Sequence, residues 1–390
     1  MAAEEQGAPL SGTRVVAIAN GVAAAYAARM LCTLGAQVVL VEPPGGSPLR
    51  REPPFLPASG GELTQTSALF AYLAAGFESK VIDPRGAAGA ASLAETLSAA
   101  DILVDDTPVA GREALGLDPQ ATAARFPDLI HVSVLPFGSE GPKAEWKGTD
   151  LIVQHAGGEG NLLPNGLAVE MFPDRAPLKI GGYFGEMQGG VAAALGALSA
   201  LWARGEVGGQ AVDVSSQDAM LAVGAFAIQR LGDGSVEHRV ERSFRYGGVI
   251  PCADGFVELL TLEQRQWEGL VELLGRPDWA LAPTLADNIE RSRRGPEINR
   301  HIREWASLRT ADEIVTAGQR LNVPLARYKS PADILAGEQE WHRALFQKIS
   351  VKGTGMLDVL VSPFHFDDEP LSLCGAPPEL PAGKAVEAVS

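Results

Sequence analysis

The stretch Gly181 to Gly190 reads GGYFGEMQGG and sets one carboxylate, Glu186, among glycines. Met187, Val191, Leu195, Leu198 and Trp202 follow at helical spacing. Glu186 therefore stands at the start of a long helix, and that stripe is expected to be its buried face. Unpaired backbone N–H groups and the positive end of the helix dipole favour an ionised carboxylate there. Such a carboxylate can attack an acyl carbonyl, and the same N–H groups can hold the oxyanion that forms. The flanking glycines would let a ligand approach the backbone closely. An acidic residue in a first turn is also ordinary capping electrostatics, so position alone leaves both readings open. Gln154 and His155 lie side by side in a second glycine-rich stretch. His155 has the chemistry of a general base, although a lone histidine in such a loop is more often structural.

These groups need a frame to position them. Arg14 to Ile18 (RVVAI) reads as a buried strand, Val22 to Leu34 as a helix stopped by Gly35, and Gln37 to Val41 (QVVLV) as a second strand. Further strands are expected at Lys80 to Asp83, Asp101 to Val104 and Leu129 to Val134. Helices are expected at Ala68 to Ala75 and Ala90 to Ala99, and Ala121 to Phe126 precedes the last strand. This alternation predicts an α/β fold with a parallel, Rossmann-like sheet. Lys143 to Gly182 reads as irregular. A short strand at Val212 to Val214 and a helix from Asp218 to Arg230 follow the long helix. Composition changes near Gly232. Val249 to Leu260 then reads as a hairpin turning at Ala253-Asp254-Gly255, followed by charged helices near Gln264 to Leu274, Pro296 to Ser307 and Thr310 to Leu321. The expected division is a large domain over 1–232, a smaller α+β domain over 233–328, and a segment over 329–390 that returns to the large domain.

The 390 residues suffice for two domains with sizeable cores. A net charge of -16 disfavours nucleic acid and anionic membrane surfaces, so an anionic ligand needs a local basic pocket. Cys32, Cys252 and Cys374 form no CxxC pair, which suggests reduced thiols and no metal site. The first residues lack the pattern of a signal peptide, and a cytoplasmic protein is expected.

The order of short motifs resembles that of the family III CoA-transferases, typified by formyl-CoA transferase and carnitine CoA-transferase. The opening resembles the family's "LxGxRVLDLT" and "LGAxVIKIEPPxGD" in Leu10 to Val16 and Leu34 to Gly45. Ala100 to Val104 is similar to "ADVLV", Phe137 to Pro142 to "GFGxxGP", and Asp150 to Gln154 to "DLxxQ". Gly208 to Ser215 resembles "TGxGQxVDVSL", while Asp254-Gly255 and Asn322-Val323-Pro324 match "DG" and "GVP".

The resemblance implies an interlaced dimer, each chain with a Rossmann-like large domain and a small domain, with CoA lying across the large one. It implies that Glu186 takes the place of the family's nucleophilic Asp. That residue would attack an acyl-CoA thioester, and CoA would then pass to a carboxylic acid. The resemblance places Gln154 near the acyl group, and Asn20, Arg50, Gly138 and Lys143 on the CoA-binding surface. No metal is implied. The "NRxKxS" loop aligns with Ala74 to Ser79 and the "NFRPG" arginine with Pro108, so two cations of the pattern are missing. The implied partners are an acyl-CoA, a carboxylic acid and a second chain, either a copy or a catalytic family III subunit. In the latter case the chain is the non-catalytic member of a heteromer of the benzylsuccinate CoA-transferase type. An α-methylacyl-CoA racemase shares the fold, but its expected histidine is Thr149 here. A nicotinamide enzyme would suit Glu42 at the end of the second strand, but Asn20 to Ala25 lacks GxGxxG.

Overall fold

The computed structural model describes residues 8–58, 63–162, 174, 176–224, 245–373 and 375–381. They fall into two compact units. One holds the described residues of 1–159, 179–225 and 338–390, the other those of 160–178 and 226–337.

The first unit is α/β. Its N-terminal half contains β1 (Arg14–Ile18), β2 (Gln37–Glu42), a small hairpin of β3 (Phe55–Pro57) and β4 (Leu63–Ser67), then β5 (Glu78–Val81), β6 (Ile102–Asp105) and β7 (Ile130–Leu135). With β8 (Ala211–Ser215), the longer-range strands form a six-stranded parallel sheet ordered β5-β2-β1-β6-β7-β8. Strands β6 and β7 are buried along their whole length, as apolar runs covered on both faces must be. The order reverses at β1, which pairs β2 on one side and β6 on the other. In open α/β sheets, ligands bind beyond the carboxyl ends of the strands at such a switch point.

Helix α1 (Val22–Thr33) makes the first crossover, and α2 (Ala68–Leu73), α3 (Ala87–Ser98), α4 (Val109–Leu115) and α5 (Pro119–Arg125) follow in the connections between strands. Two expectations need correction. The stretch from Lys143 is not wholly irregular, because α6 (Asp150–Ala156) forms within it and buries Asp150, Val153 and Gln154. The long helix (Phe184–Val207) buries Gly185, Gly189, Gly190, Ala193, Ala194, Ala197 and Ala200; of the predicted stripe, Met187 and Leu198 pack partly buried against the same core, while Val191, Leu195 and Trp202 are exposed. Leu195 is 65% exposed and Trp202 93%. The cause is backbone proximity. A Cβ at Gly190 would lie 2.7 Å from the Ala23 carbonyl oxygen of α1, so only small residues fit between the two helices. The predicted helix continuation beyond Gly224, and Cys374, lie outside the described residues.

The C-terminal hairpin, β12 (Phe346–Val351) and β13 (Gly355–Leu360), belongs to the first unit. Ile349, Val351, Val359 and Val361 share a core with Leu56, Ala71 and Ala75. Arg29, 2% exposed, ties α1 to this layer by donating to the Ala75 carbonyl (3.2 Å) and the Leu360 carbonyl (2.8 Å), with its guanidinium over the Tyr72 ring. Two charge-assisted bonds and a large side chain would be lost together in Arg29→Ala. The expected cost is about 3–5 kcal/mol, read from urea unfolding.

In the second unit, β9 (Gly248–Cys252), β10 (Gly255–Leu259) and β11 (Leu325–Arg327) form an antiparallel sheet ordered β11-β10-β9. The turn between β9 and β10 is the predicted one. Helices Gln264–Leu273, Gly295–Ala306 and Ala311–Arg320 lie where their amphipathic patterns place them. The return to the first unit begins at 338 rather than 329. Arg327 pairs with Asp333 (3.7 Å), which holds the intervening residues with the second unit. Among the described residues no helix is long and apolar enough to cross a membrane.

Candidate active site

Strand β6 ends at Asp105, and Asp106 follows at its carboxyl end, beside the switch point. One oxygen of Asp106 accepts from the Asn20 amide (2.8 Å) and the Gly21 amide (2.6 Å). The other accepts from the Asn20 side-chain Nδ2 (3.1 Å). Asn20 is exposed, as a cofactor contact should be, but both of its N–H groups face Asp106. Burial pushes the Asp106 carboxyl up to about 7. The Asn20 and Gly21 amides oppose that rise and the neighbouring Asp105 charge adds to it.

Glu186 lies near Asp106, half-buried, in the first turn of the long helix. Burial first, and then the charge of Asp150, push its carboxyl up to about 7, with Asp106 contributing in the same direction. The Val22 backbone amide, in the first turn of α1, opposes the rise, and so does the Asp150 backbone amide in the first turn of α6. The expectation that a helix N-terminus holds Glu186 ionised is therefore corrected. Two neighbouring helices supply the amides, and burial among acids outweighs them. The glycines around Glu186 are also put to a different use. Gly181 and Gly182 face open space, but a Cβ at Gly185 would lie 2.9 Å from Gln154 Cγ, and Gly189 and Gly190 are equally confined by this chain's own atoms.

The amide of Glu186 donates to Asp150 Oδ1 at 3.1 Å. Asp150 is buried in the first turn of α6, and its other oxygen accepts from Gln154 Nε2 (2.7 Å) and Lys179 Nζ (2.7 Å). Gln154 is fully buried. Its Nε2 also donates to the Ile180 carbonyl (3.2 Å), and its Oε1 accepts from the Ile180 amide (2.9 Å). These bonds make Gln154 a support for Asp150 and for the segment before Glu186, where the resemblance implied contact with an acyl group. His155, one residue on, is exposed.

The remaining predicted residues stand in separate contacts. Arg50 forms a bidentate pair with Glu42 (2.6 and 2.7 Å), donates to the Pro378 carbonyl (3.1 Å) and stacks on Phe70. Burial alone would push the Glu42 carboxyl up. Hydrogen bonds from Arg50, the Ser47 amide and the Ser79 hydroxyl outweigh it and hold the group below the ordinary range. Gly138 has φ +79°, and a Cβ there would lie 3.1 Å from Asp213 Oδ2, an atom that also accepts from the Ser139 amide. Lys143 rests its ammonium about equally over the Phe137 and Trp146 rings (5.5 and 5.4 Å). The structure thus joins Glu186, Asn20 and Gln154 through Asp106 and Asp150, and leaves Arg50, Gly138 and Lys143 apart from that group. Sequence reasoning missed Asp106, Asp150 and Lys179 as members. Asp106 had a usable signal, an acidic residue just past a buried strand, whereas Lys179 had none.

Comparison with known proteins identifies the fold and its lineage. The model for CoA-transferase family III matches residues 10–383. The chain belongs to CoA-transferase family III. It is 30% identical over 338 residues to the succinyl-CoA:(R)-benzylsuccinate CoA-transferase subunit BbsE of Thauera aromatica, covering 83% of this chain and 79% of that one. It is also 30% identical over 327 residues to a probable CoA-transferase of Mycobacterium tuberculosis. That match covers 80% of this chain but only 38% of the relative, so the chain spans well under half of that protein. The crystal structure of a CaiB/BaiF family protein from Brucella suis superposes with a TM-score of 0.83 at 28% identity, covering 96% of this chain and 97% of the other.

Proposed function

We propose that this chain is an acyl-CoA:carboxylate CoA-transferase working through a covalent intermediate at Glu186. The Glu186 carboxylate attacks the thioester carbonyl, the C–S bond breaks, and CoA thiolate leaves a mixed anhydride. The thiolate then attacks the glutamyl carbonyl and expels the first carboxylate, which leaves a glutamyl-CoA thioester. An incoming carboxylic acid runs the two steps in reverse. No electrons are exchanged and no metal is needed. The Val22 and Asp150 backbone amides are the chain's own donors for an oxyanion at Glu186.

The observation that carries this reading is the half-buried Glu186 carboxylate at the N-terminus of α1, with its proton affinity raised to about 7. A raised pKa makes an ionised carboxylate a stronger nucleophile but leaves it partly protonated at neutral pH. Attack requires the ionised form. The rate of acyl-CoA-dependent modification of Glu186 is therefore expected to rise with pH through about 7 and then level off. Quenched-flow labelling with peptide mass spectrometry reads this directly. A flat profile between pH 6 and pH 8 removes the raised proton affinity from this reading, and no labelling of Glu186 at any pH removes it as the nucleophile.

The proposal includes a cytoplasmic location and an interlaced dimer. Exposed Val191, Leu195 and Trp202 on the long helix suit burial against a second chain. A second reading, the non-catalytic subunit of a heteromeric family III enzyme, has its own support. Arg50, Gln154 and the Asn20 and Gly21 amides are all engaged by this chain's own groups. One relative is itself named as a subunit. Under this reading no acyl-CoA modifies the purified chain, and transfer appears only on mixing with an unlike subunit.

A further inference from the structure

The start of the long helix lacks a cap of its own. Its N-cap residue, Tyr183, makes no side-chain cap hydrogen bond. Asp150 takes over the duty from another element by accepting the Glu186 amide, the donor an N-cap side chain usually satisfies. The segment leading into the helix contains Gly181 and Gly182, both exposed, with Gly182 at φ +74°. Two consecutive glycines have little stiffness, so something else must hold this turn.

Lys179 is placed to do so. An ammonium has three N–H donors. Lys179 Nζ pairs with Asp150 Oδ2 (2.7 Å) and donates to the Ile180 carbonyl (3.0 Å) and to the Gly182 carbonyl. The three contacts reach backbone on both sides of Gly181 and the one carboxylate that caps the helix. Gln154 supports the same carboxylate, and the side chain of Asp150 is only 6% exposed. A buried carboxylate needs such partners to remain charged.

We propose that Lys179 is a positioning residue that acts through Asp150 to fix the turn presenting Glu186. It touches no reacting atom. The groups facing Glu186 are the carboxylate and backbone amide of Asp150 from α6, Asp106 beyond β6, the Val22 amide of α1 and Tyr183 at the N-cap of its own helix. Lys179 thus meets Glu186 only through Asp150.

The test uses the full chain and two readouts. Hydrogen exchange follows the amides of residues 183–187. The pH dependence of Glu186 labelling by a water-soluble carbodiimide and an amine, normalised to exposed carboxylates of the same chain, follows its protonation. In Lys179→Met, exchange is expected to rise about tenfold, as expected for a loosened local turn. Removing the cation also leaves the Asp150 charge uncompensated beside Glu186, so the Glu186 labelling midpoint moves up. Lys179→Arg keeps the charge and restores the midpoint, which a purely steric role would not predict. In an Asp150→Asn background, Lys179→Met no longer moves the midpoint. The proposal is overturned if Lys179→Met changes neither readout, or if its shift persists without the Asp150 charge. The inference builds on Glu186 being the functional carboxylate. Both readouts are independent of acyl-CoA, so failure of CoA transfer would sink the proposed function and leave this result standing.

Discussion

Glu186→Gln is expected to abolish acyl-CoA-dependent modification of the chain and to lower transfer by about 10⁴-fold or more, the scale seen when a covalent nucleophile is removed. The amide keeps the shape of the side chain and can still meet the Val22 amide through its carbonyl oxygen. It cannot attack a thioester. The experiment incubates the purified chain with a panel of acyl-CoAs, traps with hydroxylamine or borohydride, and locates the adduct by peptide mass spectrometry. A CoA-dependent adduct on Glu186 that vanishes in the variant establishes covalent transfer. An adduct elsewhere, or none on the wild-type chain, rejects it, and the heteromeric reading then becomes the one to pursue. Glu186→Asp is the sharper control. The carboxylate retracts by about one methylene from the α1 amide, and a displacement of about 1 Å costs about a hundredfold in rate. Equal or better activity in Glu186→Asp would mean that the site retains the geometry of the shorter family residue.

Gly190→Val is expected to destabilise the first unit by about 3 kcal/mol and to disturb Glu186 as well. The new Cβ would meet the Ala23 carbonyl oxygen at 2.7 Å and Tyr26 Cβ at 3.0 Å, and neither can move without shifting α1. Overpacking of this kind costs about 1–3 kcal/mol, and a β-branched residue within a helix adds to it. The two helices forced apart are those that carry the Val22 amide and Glu186, so the stability loss and the site are linked. Thermal and urea unfolding measure the first effect, and the Glu186 labelling profile measures the second. Trp202→Ala, at a position 93% exposed, serves as the contrast and is expected to change the stability of the single chain by less than about 0.5 kcal/mol. If Trp202→Ala proved as damaging as Gly190→Val, Trp202 would be buried in the protein in solution, as the proposed second chain would bury it.

That helix shows where sequence reading reached its limit. Its existence was plain from spacing, but the face it buries was not. Hydrophobicity pointed to Leu195 and Trp202, whereas the close approach of α1 selects glycine and alanine. The strands fared better, because a buried parallel strand must be apolar along its length. β1, β2, β6 and β7 were found to within a residue or so. The site was only partly legible. Glu186 and Asn20 were marked by the order of motifs, but Arg50 carries a cation that the fold commits to Glu42, and Gln154 an amide that it commits to Asp150 and Ile180.

What the sequence determined by itself was the alternation of strands and helices, the α/β class, the family resemblance and the carboxylate at a helix start. Each is written in local composition or in the order of short motifs. What only the tertiary structure decided was the company Glu186 keeps. Asp106, Asp150, Val22 and Lys179 come from separate places in the chain, and hydrogen bonds and charge couple them once β1 and β6 lie side by side. Proton affinity depends on burial and on charges a few ångströms away, and those distances are set by packing rather than by spacing along the chain.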